Sequence, residues 1–268
     1  MNPIVVKDLH KHFGSIHVLR GLDFEVAPGE GTVLLGANGC GKSTLMRCLI
    51  GLERPDAGTA EVAGIDIATA GRRRLREVRR SVGMVFQRFN LVANLSVLQN
   101  VLFGALGRQP LGVMALASPW APQEERDRAM HCLHRVGLAD RAGQRADTLS
   151  GGQQQRVAIA RMLMQAPRLV LADEPVASLD PRSGREVMDL LWEIVREEGM
   201  TVVCTLHQLD LAREYGDRLL GMKAGKIQLQ GRISDFDTGS LESLYHGEVR
   251  VDGDPREEVP LATAASAS

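Results

Sequence analysis

Aromatic residues make up only 4 % of the chain, with two Trp and two Tyr, so the stacking platforms that hold single-stranded nucleic acid are poorly supplied. A charge imbalance is missing too. Lys plus Arg number 32 against 33 Asp plus Glu, a net of −1, which excludes a generic polyanion binder. No nucleic-acid partner is expected. The four cysteines, Cys40, Cys48, Cys132 and Cys204, include no CxxC pair; this excludes a disulfide scaffold or a zinc ribbon and leaves reduced thiols. The residues from Met1 to Asp8 lack a basic region followed by an apolar stretch, so no secretory leader is expected. The longest uncharged stretch, from Gln109 to Gln123, is broken by Pro110, Gly112, Pro119 and Pro122 and is too short to cross a bilayer. Any membrane role is expected to come through a partner.

What is present is ordinary globular composition, 44 % hydrophobic and 24 % charged over 268 residues, enough for a large domain with a sizeable core. Short β-rich runs alternate with amphipathic helical ones, the pattern of an α/β fold with a mostly parallel sheet. Thr32–Leu35, Val82–Phe86, Leu169–Ala172 and Thr201–Leu206 are apolar throughout, as strands covered on both faces must be. Loops at their C-terminal ends are where the chemistry is expected. The first thirty residues and the stretch Arg218 to Gly231 read as hairpins, with turns at Pro28-Gly29 and Ala224-Gly225, and suggest an antiparallel subdomain beside the core. From about 90 to 166 helical patterning takes over, for example Glu124 to Val136 and Gln153 to Met164, which predicts a helical insert. The body is expected to run over 1–247. Residues 248–268 turn acidic and then Ala/Ser/Thr-rich and read as a disordered tail.

The strongest chemical signal is Gly36-Ala37-Asn38-Gly39-Cys40-Gly41-Lys42-Ser43, with Thr44 following, a full GxxxxGK[ST] loop between an apolar strand and a helix predicted over Ser43 to Leu52. Its glycines let backbone N–H groups wrap a phosphate, and the helix N-terminus adds partial positive charge beneath it. Lys42 is expected to hold the β- and γ-phosphates and the Ser43 hydroxyl to bind Mg2+. A second signal is the apolar strand ending Asp173-Glu174. Neighbouring strand residues point to opposite sides, so Asp173 is assigned to a magnesium-bound water and Glu174 to the water that attacks the γ-phosphate.

A third signal is Leu149-Ser150-Gly151-Gly152-Gln153, opening the helix that carries Gln154, Gln155, Arg156 and Arg161. Ser150 reads as an N-cap, and the glycines expose a second anion-binding helix end. This LSGGQ pentapeptide, with the loops above, resembles the nucleotide-binding domain of ATP-binding cassette (ABC) proteins over roughly residues 4 to 232. The resemblance implies a P-loop NTPase (RecA-like) core with an antiparallel β subdomain and a helical signature subdomain. It also implies a homodimer in which Ser150, Gly151, Gly152 and Gln153 serve the γ-phosphate of ATP held by the other copy. In the same way Gln87 matches the Q-loop glutamine, near magnesium and the attacking water, and Asp180 in Ala177-Ser178-Leu179-Asp180 matches a D-loop at the dimer seam. His207 matches the switch histidine on the γ-phosphate. Phe13 stands where the family places an aromatic ring on adenine, usually Tyr, and Cys40 departs from the usual Ser or Gly, which puts an oxidisable thiol near the phosphates.

A lone cassette of this size resembles the ATPase subunit of a bacterial importer. Its partners would be an integral membrane permease dimer and, indirectly, a periplasmic or surface solute-binding protein. It would sit at the cytoplasmic face of the inner (plasma) membrane. Within importers, Phe86–Val92, Leu95–Val97, Asn100–Leu102, Gly104–Gly107 and Thr205–Gln208 resemble the ATP-binding subunits of phosphonate importers. These stretches exceed what hydrolysis requires and are expected to record the permease. Import of phosphite or another solute, a soluble non-transport ABC ATPase and a P-loop kinase are the alternatives. The run Arg72, Arg73, Arg74, Arg76, Arg79, Arg80 is expected to be a solvated helix face.

Overall fold

The computed structural model describes residues 2–107 and 121–245; the expected tail and most of the Gln109–Gln123 stretch lie outside them. Five parallel strands and an antiparallel edge form the main sheet: β3 (Gly31–Leu35), β6 (Val82–Val85), β7 (Leu169–Asp173), β8 (Thr201–Thr205), β9 (Arg218–Lys223) and β10 (Lys226–Arg232), ordered β10-β9-β3-β8-β7-β6. The four apolar runs all became adjacent parallel strands. Their alternation divides the core. Val33, Leu35, Val170, Ala172, Val202 and Cys204 face one buried cluster, while Leu34, Leu169, Leu171 and Val203 face another.

The second face is covered by helix α1 (Lys42–Leu49), helix α2 (Arg72–Ser81) and a four-stranded antiparallel sheet ordered β2-β1-β4-β5, from β1 (Ile4–Phe13), β2 (Ile16–Val26), β4 (Ala57–Val62) and β5 (Ile65–Asp66). Two expectations change here. The hairpin of the first thirty residues turns at Gly14-Ser15, and Pro28-Gly29 instead carries the chain from β2 into β3 of the other sheet. The hairpin of Arg218 to Gly231 does turn at Ala224-Gly225 but extends the main sheet, because buried Leu219 and Leu220 let β9 lie parallel to β3.

Helix α1 is shorter than predicted. It ends at Leu49, and the guanidinium of Arg79 donates to the carbonyls of Ile50 at 3.0 Å and Gly51 at 2.6 Å. All six arginines, Arg72, Arg73, Arg74, Arg76, Arg79 and Arg80, are exposed around buried Leu75 and Val78 as expected, and Arg79 in addition caps a neighbouring helix.

The helical segment comprises α3 (Val97–Leu102), a 3-10 turn over Phe103–Gly107, α4 (Gln123–Arg135) and α5 (Gly151–Gln165). Their apolar faces join the first cluster through Val101, Leu102, Leu133, Val157 and Ile159. A Cβ on Gly104 would stand 2.3 Å from the Arg161 carbonyl, so the 3-10 turn can rest on α5 only without a side chain there. Helices α6 (Pro181–Glu197), α7 (Leu209–Tyr215) and α8 (Thr238–Glu242) complete the order. Among the described residues no helix is long and apolar enough to cross a membrane.

Candidate functional site

The site is built where adjacent parallel strands end. Strand β3 delivers Gly36, whose φ of 153° is accompanied by close backbone: a Cβ there would lie 2.1 Å from the Met222 carbonyl oxygen. The loop then reaches α1, whose first residue, Lys42, is only 4 % exposed. Its ammonium donates to the carbonyls of Gly36 at 2.8 Å and Ala37 at 3.2 Å, so the charge is aimed into the loop. Asn38 and Gly39 are exposed at the loop tip, Gly41 and Cys40 are buried, and Thr44 is half-buried one turn into the helix. Burial pushes the Cys40 thiol above its ordinary value, against the pull of the Lys42 charge, and keeps it protonated. The expected oxidisable thiol is thus shielded.

Strand β7 ends at Asp173, so Glu174 is set apart from it by a left-handed turn after the strand and not by the strand alternation expected from the sequence. Ser43 donates to Asp173 Oδ1 at 3.3 Å, pairing the first turn of α1 with the end of β7. Glu174 has a φ of +49°, a left-handed conformation that costs a non-glycine residue about 1 kcal/mol or more. It is held by Thr205, which lies opposite Asp173 in the β7–β8 register. The buried Thr205 hydroxyl accepts the Glu174 N–H at 2.7 Å and donates to Asp173 Oδ1 at 3.0 Å. Immediately after β8, His207 Nε2 lies 2.5 Å from Glu174 Oε1. The structure thus pairs Ser43 with Asp173 and Glu174 with His207, bridges the two acids through Thr205, and places Lys42 next to Ser43 at the start of α1. Thr205 was missed, since an apolar strand pattern hides a hydroxyl's role.

The hydroxyl of Ser43 and the carboxylate of Asp173 are hard oxygen donors side by side, the chemistry that suits a hydrated magnesium ion. Gln87 follows β6 and is exposed; its carbonyl accepts from Ser178 Oγ at 3.4 Å, and no hydrogen bond among the described residues joins its amide to Ser43, Asp173 or Glu174.

The signature residues occupy a separate place. Ser150 caps α5 through a reciprocal pair: Ser150 Oγ accepts the Gln153 N–H at 3.4 Å, and Gln153 Oε1 accepts the Ser150 N–H at 3.0 Å. The Gln153 carbonyl is used in this cap, while the Gly151 and Gly152 amides sit in the first turn, where no intrahelical acceptor exists. Gly151 lies against Leu179 and Phe89, and Gly152 against Ser183, so this helix end abuts the start of α6 and the loop after β6. Among the described residues no hydrogen bond or ion pair joins Ser150–Gln153 to the phosphate loop. Asp180 caps α6, accepting the Ser183 N–H at 3.0 Å, and the Ser183 amide and hydroxyl hold its carboxyl below the usual range. Phe13 is 43 % exposed at the end of β1, with the Lys11 ammonium 5.2 Å above its ring.

Helix α5 also grips the strand-end loop of β6. Arg161 donates to the carbonyls of Asn90 at 2.6 Å and Phe89 at 3.0 Å, and buried Gln155 reaches the Phe86 carbonyl at 3.5 Å. The loop after Gln87 and the signature helix are thereby one mechanical unit.

Residues 19–177 match the family described as ABC transporter. A protein of Frankia casuarinae called Phosphonates import ATP-binding protein PhnC is 49 % identical over 88 % of this chain and 93 % of its own. One of Mycolicibacterium smegmatis called Phosphate-import ATP-binding protein PhnC is 52 % identical over 91 % of this chain and 95 % of its own. Among solved structures, the dimeric post-hydrolysis state of the ATP-binding cassette MJ0796 bound to ADP and Pi has a TM-score of 0.73 at 33 % identity, covering 86 % of this chain and 98 % of that one. The chain cbiO1 from Clostridium perfringens, part of the transporter complex cbiONQ, has a TM-score of 0.76 at 33 % identity, covering 87 % and 90 %.

Proposed function

The chain belongs to the ABC transporter family, and we propose that it is the ATP-hydrolysing subunit of a bacterial importer that energises phosphonate uptake through a separate membrane permease. The observation that carries this reading is the convergence of Lys42, Ser43, Asp173, Glu174 and His207 at the ends of β3, β7 and β8, with Ser43 at 3.3 Å from Asp173 and His207 at 2.5 Å from Glu174.

Lys42 and the amides of Gly41 to Thr44 hold the β- and γ-phosphates of ATP, and Phe13 stacks on the adenine. Ser43, with Asp173 and Gln87, would hold Mg2+, which supplies neutralisation of the phosphate charge. Glu174 accepts the proton of the attacking water as its oxygen bonds to the γ-phosphorus; the bond to the bridging oxygen breaks and ADP leaves with that electron pair. His207 orients Glu174 and contacts the γ-phosphate. Ser150, Gly151, Gly152 and Gln153 complete the pocket of a second copy across a homodimer, with Asp180 at the seam, so ATP closes the dimer and hydrolysis reopens it.

The permease dimer would dock at the exposed loop of Gln87 to Asn90 on the cytoplasmic face of the inner membrane, with the solute-binding protein acting on the far side. The ATP-binding domain is read as 1–247, with its helical subdomain at about 90–166. A second reading, phosphate import, is supported by the 52 % identical relative named for phosphate. Co-purification with the permease and stimulation of ATPase by it test the transport role. Binding of phosphonate, phosphite and phosphate to the system's receptor separates the solutes: preference for phosphonate supports the first reading, and preference for phosphate replaces it with the second.

A further inference from the structure

We propose that Tyr245 is a positioning residue for ATP hydrolysis, its hydroxyl bracing the loop that carries His207. This rests on reading Lys42 and His207 as parts of one triphosphate site.

The parallel ladder between β3 and β8 stops at these loops. Its last bond runs from the Leu206 amide to the Leu34 carbonyl at 3.3 Å, after which one chain continues as Gly36 and the other as His207. Tyr245 Oη donates to the His207 carbonyl at 3.2 Å. A single hydroxyl thus braces the end of β8 where its ladder to β3 has stopped. The Gly36 carbonyl accepts from the Lys42 ammonium at 2.8 Å, and the His207 ring lies 2.5 Å from Glu174. Through His207, Tyr245 is therefore one residue removed from the general base.

The phenol is held from behind. Leu241 and Leu244 are 0 % and 1 % exposed in the larger core cluster, and the Lys223 ammonium donates to the Ser243 carbonyl at 2.7 Å. A Cβ on Gly221 would stand 2.9 Å from Leu244, so the strand beneath lets Leu244 approach closely. Asp237 caps α8 by accepting the Ser240 N–H at 2.7 Å. Burial raises the phenol's pKa above its ordinary value, which keeps the hydroxyl protonated and donating.

The test is Tyr245→Phe in the full chain, which keeps the ring and its packing and deletes only the oxygen. We measure kcat, KM for ATP, equilibrium binding of a fluorescent ATP analogue, and melting temperature. The expected result is a kcat about threefold to tenfold lower, the range of one hydrogen bond, with nucleotide affinity and melting temperature nearly unchanged. Leu244→Ala serves as the packing control and lowers the melting temperature instead. A Tyr245→Phe enzyme with wild-type kcat overturns the proposal, as does a kcat loss accompanied by the lowered melting temperature of the packing control. If the wild-type chain itself fails to hydrolyse ATP, it is the underlying reading of the site that fails.

Discussion

The hydroxyl of Thr205 lies 2.7 Å from the amide of Glu174, and the same oxygen donates to Asp173 Oδ1 at 3.0 Å. One buried side chain on β8 thus sets the backbone of one acid and the carboxylate of its neighbour. Thr205→Val keeps the β-branched shape that suits the strand but leaves the Glu174 amide without its acceptor. Turnover is expected to fall about tenfold or more, with Thr205→Ser restoring most of it, since losing a buried partner costs roughly 1–3 kcal/mol. Steady-state kinetics of both variants check this, and equal activity of the Val and Ser enzymes would contradict it.

Glu174→Gln keeps the shape of the side chain and removes its basicity. The expected enzyme binds ATP, stays dimeric with it, and turns over about a hundredfold or more slower than the wild type. Phosphate release and gel filtration in ATP measure the two parts, and unimpaired turnover removes Glu174 from its role.

Ser150→Arg places a bulky cation at the N-cap of α5, remote from Lys42. It is expected to abolish the ATP-dependent dimer while a single chain still binds nucleotide. Analogue binding by fluorescence, next to sedimentation in ATP, reads both. Loss of nucleotide binding by the monomer would contradict an assignment in trans.

Cys40 tests the electrostatics of the phosphate loop. Burial raises its thiol pKa, so at pH 7.5 the native protein is expected to resist iodoacetamide at Cys40 and to be alkylated there in urea, read by peptide mass spectrometry. The sign for stability follows. The unfolded thiol ionises near its ordinary 9.0, while the folded one keeps its proton at that pH; the contribution is complete below that value and is lost as pH rises through the folded pKa. Urea midpoints should therefore decline on the alkaline side.

Arg79→Ala withdraws the guanidinium from the carbonyls of Ile50 and Gly51. Stability is expected to drop by about 1–2 kcal/mol, measured as a shift in the urea midpoint, with KM for ATP little changed.

Much of this was legible because the signals are local. Strands covered on both faces must be apolar throughout, and the four runs of that kind became the adjacent parallel strands β3, β6, β7 and β8. The phosphate loop and Ser150 cap declare themselves within eight residues and five residues of sequence, respectively. Nonlocal pairing was not legible. Nothing within Arg218 to Gly231 says that β9 joins β3 rather than the antiparallel sheet, because that choice depends on a partner nearly two hundred residues away. Thr205 and Tyr245 escaped for the same reason: their partners are Glu174 and His207, and only the fold brings them near.

Some residues that resemble the phosphonate subunits beyond the needs of hydrolysis have packing reasons inside this chain. Buried Asn100 accepts the Val92 N–H at 2.8 Å and donates to the Val92 and Ser96 carbonyls at 3.1 and 3.0 Å, organising the loop after Phe89. Ser96 caps α3 with Gln99, and Gly104 lets the 3-10 turn meet α5. Such positions hold the helical segment together whatever permease it serves.

The central claim is that each catalytic pocket is shared between two copies, with the phosphate loop from one and the Ser150 helix end from the other. Its most direct measurement is the ATPase rate per chain of the isolated protein across a wide concentration range, with sedimentation velocity on the same samples in ATP. A rate per chain that climbs with concentration and levels off as the dimer fills is the predicted result. A constant rate per chain from a species that stays monomeric throughout would contradict it.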